Sequence, residues 1–240
     1  MAKLTTLPTL YGIDTFSTST LKDLPFGAIA FDSIGRKFRY AKAGATALVK
    51  GHLLQSPARD TAYTDMAVQA VAAIDAKSIE VTLGATATTA NQFDEGVLAV
   101  SASTGLGQNF TIVGHDVTAG AGVCTFNIDE AILTALATTS KVTANLNPYN
   151  KVIDSPTTRT GLTVGVAITA AAISAFTWIG VEGMFAVLSD ATVAAVGEGV
   201  GPSTTTAGSV TKQVTLLENV GTAPILGVSA QYEPVMFKLG

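Results

Sequence analysis

Large apolar residues alternate with polar or small ones over much of this chain, and the period is two. Residues 78–83 read Ser-Ile-Glu-Val-Thr-Leu and residues 109–113 read Asn-Phe-Thr-Ile-Val. Such alternation predicts half-buried β-strands. Comparable segments fall at residues 96–100, 123–128, 141–146, 161–168, 177–181, 185–188, 209–216 and 235–239. Residues 26–54 predict further strands, punctuated by Gly35, Gly44 and Gly51. Regular short strands between glycine-rich turns predict an all-β protein, built as a β-sandwich or small β-barrel modules.

Two segments predict helix instead. In residues 61–76, Met66, Ala70, Ala73 and Ile74 can share a face, although the stripe is weak and a short helix or a loop is the alternative. Residues 129–136 open with Asp129-Glu130, acidic groups at the end where a helix dipole favours them. Residues 161–181 carry no charge and are long enough to cross a bilayer, but Leu162, Val164, Val166 and Ile168 alternate with smaller residues. Two strands and a small-residue loop are expected there rather than a membrane span.

Residues 1–25 lack any period. They mix Thr, Ser, Pro8 and Pro25 with isolated anchors such as Leu4, Leu7, Leu10, Tyr11 and Phe16. This predicts an extended N-terminal arm that lays single side chains onto a neighbour. Two β-rich domains follow, at 26–150 and 151–240. Their boundary is placed by the Asn-Pro-Tyr-Asn turn at 147–150, Pro156 and the polar residues after it.

Composition narrows the chemistry. Only 13% of residues are charged, against roughly 25% in ordinary proteins. There are two histidines, His52 and His115, and one cysteine, Cys124. A metal site needs three or four ligands, so none is expected unless distant segments converge. No Gly-x-Ser-x-Gly elbow is present, and Cys124 lies in an alternating strand where a buried, inert thiol is the default. The acidic pairs Asp94-Glu95 and Asp129-Glu130 diverge on either a strand or a helix. Gly105-Leu106-Gly107-Gln108 has no following lysine and reads as a hairpin turn rather than a phosphate loop. The chain is therefore expected to be no enzyme and to hold no cofactor.

The sharpest charge feature is Arg36, Lys37, Arg39 and Lys42, with Phe38 and Tyr40 between them. On a strand, Arg36, Phe38, Tyr40 and Lys42 share one face, and Lys37 and Arg39 take the other. Such a cluster can bind single-stranded nucleic acid, dock on an acidic protein surface, or form a solvated hairpin. The net charge of −4 argues against the first.

At these residues the chain resembles a known group. The run from Gly35 to Gly44 (Gly-Arg-Lys-Phe-Arg-Tyr-Ala-Lys-Ala-Gly), with Ala47-Leu48 and Gly51, is similar to the opening of tailed-phage head decoration (capsid cement) proteins. Residues 83–93 (LGATATTANQF), Glu95-Gly96, Gly107-Gln108 and residues 112–115 (IVGH) are similar to the middle of that group. So are Thr139-Ser140-Lys141-Val142, residues 147–152 (NPYNKV), Trp178 to Gly183, Val187-Leu188 and Pro224 to Val228. The resemblance covers residues 27 to 239, leaves the arm unmatched, and carries no catalytic motif.

The resemblance implies a virion structural protein on the outer surface of a phage capsid. It would cement neighbouring major capsid subunits, as a homotrimer, with no nucleic-acid or membrane partner. The residues expected to touch a partner are Leu10, Tyr11 and Phe16 on the arm, Arg36, Arg39 and Lys42 on the basic strand, and Tyr149 in the turn. The alternative is a tail or tail-fibre component that recognises a receptor or glycan.

Overall fold

The alternating segments become strands throughout the computed structural model, which describes residues 9–190, 194–213 and 218–239. The protein is all-β. Among the described residues the one helical element is a 3-10 turn, Thr61–Tyr63. The chain divides into two compact units.

The unit Arg59–Asn147 is a closed six-stranded antiparallel barrel. Around it run Val123–Ile128, Ser78–Thr82, Met66–Val68, Lys141–Asn145, Val97–Ala102 and Asn109–Gly114, and the last pairs with the first. Closure leaves no strand edge to protect. The period of two fills the interior: Ile79, Val81, Leu98, Ile112, Phe126 and Val142 are completely buried, and along Ser78–Thr82 and Val123–Ile128 the intervening residues face outward.

Neither expected helix forms. Asp60 caps Thr61–Tyr63, its carboxylate accepting from the Ala62 N–H (2.8 Å). The backbone then turns left-handed at Asp65 (φ 52°) and enters the strand Met66–Val68, with Met66 and Val68 inward. An alanine-rich stripe offers a helix little burial, whereas the barrel buries both large residues. Residues 129–136 form a loop. Both Glu130 carboxylate oxygens accept from Thr111, one from its N–H (2.6 Å) and one from its hydroxyl (2.9 Å). Ile132 and Leu136 enter the same core, fully buried, and Leu136 exchanges two backbone hydrogen bonds with Ala72. Tertiary burial overrides the local preference.

The second unit joins the described residues up to Ala58 to those from Pro148 onward. Its twelve strands belong to one sheet. The spine is Phe176–Leu188, which pairs with Lys37–Lys42 on one side and Tyr232–Lys238 on the other. Thr163–Ala167 pairs with both Phe176–Leu188 and Leu53–Gln55. An aromatic-rich cluster contains Phe38, Tyr40, Phe176 and Trp178, and a small-residue cluster contains Ala41, Ala43, Ile179 and Val181. Alternation along the two paired strands sends these sets to opposite faces.

The domain division expected at 150/151 is thereby corrected. The chain crosses between units at 58/59 and 147/148, so residues 26–58 belong with the C-terminal part. Pairing of Lys37–Lys42 with Phe176–Leu188 is a long-range contact that no local composition shift announces. The arm is corrected too. Thr9–Tyr11 runs parallel to Ile29–Phe31, and Thr18–Ser19 pairs with Phe176 and Thr177 of the same chain. Leu10, Ile13 and Leu24 pack on the aromatic-rich core. Leu4 and Leu7, and residues 214–216 of the strand expected over 209–216, lie outside the described residues.

Candidate functional site

His115 and Cys124 meet inside the barrel, with Sγ 3.8 Å from Nδ1. A cysteine beside a histidine can form a nucleophilic pair, but these hydrogen bonds prevent it. The Phe93 N–H donates to Nε2 (3.1 Å), so the proton resides on Nδ1, which faces the Asp116 carbonyl at 2.9 Å. The imidazole is neutral with both nitrogens engaged, leaving no lone pair to take the thiol proton. Burial pushes the Cys124 thiol up and the His115 imidazole down.

A pH dependence follows. The unfolded chain protonates His115 near its ordinary value of 6.5, whereas the folded barrel resists until lower pH. The contribution is complete above 6.5 and is lost as pH falls below it, by no more than about 1.4 kcal/mol per pH unit for one proton. Denaturant unfolding at pH 7.5, 6.5 and 5.5 is expected to show this loss. His115→Asn should flatten the slope between 6.5 and 5.5, and an unchanged slope would place the titration elsewhere.

His52 lies in the sheet unit, its Nδ1 2.7 Å from the Asp154 carboxylate and its ring beside Tyr232. Among the described residues no three His, Cys, Asp or Glu side chains gather as a metal site would require.

All seven residues expected to contact a partner fall in the sheet unit. Arg36, Phe38, Tyr40 and Lys42 do share a face, on which Phe38 and Tyr40 are core and Arg36 and Lys42 are half-buried at its ends. Tyr40 stacks on Phe176 (5.8 Å between centroids) and meets Trp178 edge-on (5.3 Å), while Phe38 meets Phe185 edge-on (5.6 Å). Cations cap both ends of this aromatic row. Arg36 lies 5.3 Å from the Phe185 centroid and pairs with Asp32 (2.7 Å), and Lys42 lies 5.3 Å from the Phe176 centroid.

The remaining residues are dispersed around the sheet. Arg39, on the opposite face, donates to the Gly27 carbonyl (2.9 Å) and covers the Tyr149 ring. Tyr11 stacks on Phe31 and stays exposed, as does Phe16, while Leu10 is half-buried. Gly180 makes the aromatic row fit: a side chain there would meet the Phe185 ring at 2.6 Å. The ladder shifts register between Gly180 and Glu182, bringing Phe185 onto the Phe38 side.

A second surface of this unit is apolar and open. A groove of about 600 Å³ is lined by Val49, Gly51, Ile168, Met184, Ala186 and Tyr232, with Arg36 and Lys50 also contributing to its walls. Its floor continues across the sheet. Met184 pairs with Met236, Ala186 with Pro234 and Leu188 with Tyr232. Met184 and Met236 are each 45% exposed and Tyr232 51%. Gly51 holds φ +79°, and a side chain there would strike the Tyr232 ring at 2.5 Å. Glycine is therefore required both for the turn and for the ring's seat.

Sequence reasoning missed this groove, although a signal existed. In residues 184–188 and 232–236 both the inward and the outward sets are largely apolar, which a one-sided strand does not need.

No family model matches this chain, and neither the curated proteins nor the solved structures contain a match to it.

Proposed function

We propose that this protein is a virion structural protein that binds the outer surface of a phage capsid and cements neighbouring major capsid subunits, acting as a homotrimer. The observation that carries the reading is the open apolar floor formed by Met184, Ala186, Tyr232, Pro234 and Met236. Apolar surface left uncovered on a folded unit favours a protein partner. Methionine side chains adapt to a partner's contour, and tyrosine supplies rigid contact area. The resemblance at residues 27 to 239 supplies the identity of that partner. Modest affinity per copy suffices, because many symmetric sites and a trimeric clamp act together.

Electron cryomicroscopy of particles carrying the chain is expected to place symmetric copies on the outside of the shell. Light scattering of the purified protein is expected to give three times 24.4 kDa. Shells bare on the outside, with the chain found in the tail, would replace this reading with the receptor-binding one.

A further inference from the structure

Met184, Phe185 and Ala186 are consecutive, yet all three line the groove. Neighbours on a strand project to opposite faces, so a cavity that meets all three runs along the strand's edge. The ladder shows which edge. The Ser189 N–H donates to the Gln231 carbonyl (2.8 Å) and the Leu239 N–H to the Val181 carbonyl (3.0 Å), so odd-numbered residues turn their backbone groups toward Tyr232–Lys238. Ala186 lies opposite Pro234, which has no N–H to offer it. Met184, Ala186 and Leu188 therefore present their N–H and C=O groups on the groove side.

That edge is paired at both ends and open between them. Glu182 pairs with Lys37, and the Leu188 N–H donates to the Gly51 carbonyl (2.9 Å). Gly51 cannot extend the pairing, because its own N–H is held by the Ala167 carbonyl (2.7 Å). Among the described residues, no strand pairs with Met184 or Ala186 on this side. Natural sheets cover or blunt such edges. Here a central strand leaves one open inside an apolar groove of about 600 Å³.

We propose that the groove receives an extended segment of the capsid partner, which adds a strand to Phe176–Leu188 by pairing with Met184 and Ala186. The inference rests on the function proposed above. Alternate residues of an extended chain recur about 6.6 Å apart, so such a segment meets both sets of backbone groups in step, as in other strand-addition complexes. An acyl chain would fill the apolar space but leave these donors and acceptors unpaired. Ala167, Ala170 and Ala186 leave room for small apolar side chains on the segment. Lys50, exposed on the wall, has no ion pair among the described residues, so the segment carries a carboxylate at that end.

Amide hydrogen exchange of the intact protein tests the open edge first. The Met184 and Ala186 amides are expected to exchange roughly tenfold or more faster than those of Phe185 and Val187, which face the paired strand. Overlapping short peptides of the major capsid protein, matching peptides of this chain, and dodecanoate are then titrated. An acidic capsid peptide is expected to bind and to slow both amides. Methylating the backbone nitrogens on its pairing edge, or Lys50→Glu in the protein, should weaken it about tenfold. Ala186→Pro removes a groove-side donor and no bond to Tyr232–Lys238, so it should weaken peptide binding and shell decoration together, with the unfolding midpoint as control. Slow exchange of Met184 and Ala186 in the free protein overturns the proposal. So does slowing by this chain's own peptides or by dodecanoate in preference to capsid peptides. Capsid peptides that leave both amides fast while shells are decorated normally overturn the strand addition and leave the proposed function standing. Shells that stay bare with the wild-type protein remove the capsid reading itself.

Discussion

Trp178→Ala is expected to destabilise the sheet unit by about 3–5 kcal/mol, a large part of the 5–15 kcal/mol that holds a typical domain together. Trp178 is 4% exposed, and its register partner across the ladder is Tyr40, which meets it edge-on. Tyr40 stacks on Phe176, and Phe176 on Phe26, so four rings depend on one another. Strand pairing fixes the backbone on either side, so the vacated space cannot close. The cavity cost then adds to the lost burial. Trp178→Phe leaves an aromatic ring in place and should cost clearly less. Guanidinium unfolding followed by circular dichroism measures both, because Trp178 is the chain's single tryptophan and its fluorescence is lost with it. A loss below about 1 kcal/mol would mean that the row contributes little to the core.

The same row shows how far the sequence could be read. The period of two correctly gives the face shared by Arg36, Phe38, Tyr40 and Lys42, since alternation is a property of the strand itself. It does not reveal that the face is buried. That depends on Phe176–Leu188, whose pairing with Lys37–Lys42 spans more than a hundred residues. Hence Arg36 and Lys42, which read as a partner-facing or solvated cluster, lie over the rings of Phe185 and Phe176.

The helices expected at 61–76 and 129–136 failed for a related reason. Both were inferred from local preference, and Met66, Ile132 and Leu136 were instead claimed by the barrel interior. The burial of Cys124 was legible because an alternating strand hides its inward residues. The neutral tautomer of His115 was not, since it depends on a backbone N–H at Phe93, 22 residues away in sequence.

The groove is where the function proposed here meets its sharpest test. Ala186→Arg is expected to abolish decoration of shells while leaving the fold intact. Ala186 faces outward on the long strand, opposite Pro234 and beside Met184. An arginine there can extend into solvent in the isolated protein, so stability should change by no more than about 0.5 kcal/mol. Against a docked partner the same side chain would protrude into the 600 Å³ groove and bring an unpaired charge onto an apolar floor. Disrupting the centre of an interface in this way costs about 2–4 kcal/mol per copy. Because occupancy of a shell depends on many weak sites acting together, that loss is amplified across the lattice. The measurement is the copy number per shell after co-sedimentation, with the unfolding midpoint as control. Full decoration by a normally folded Ala186→Arg protein would show that this face is not the one that docks.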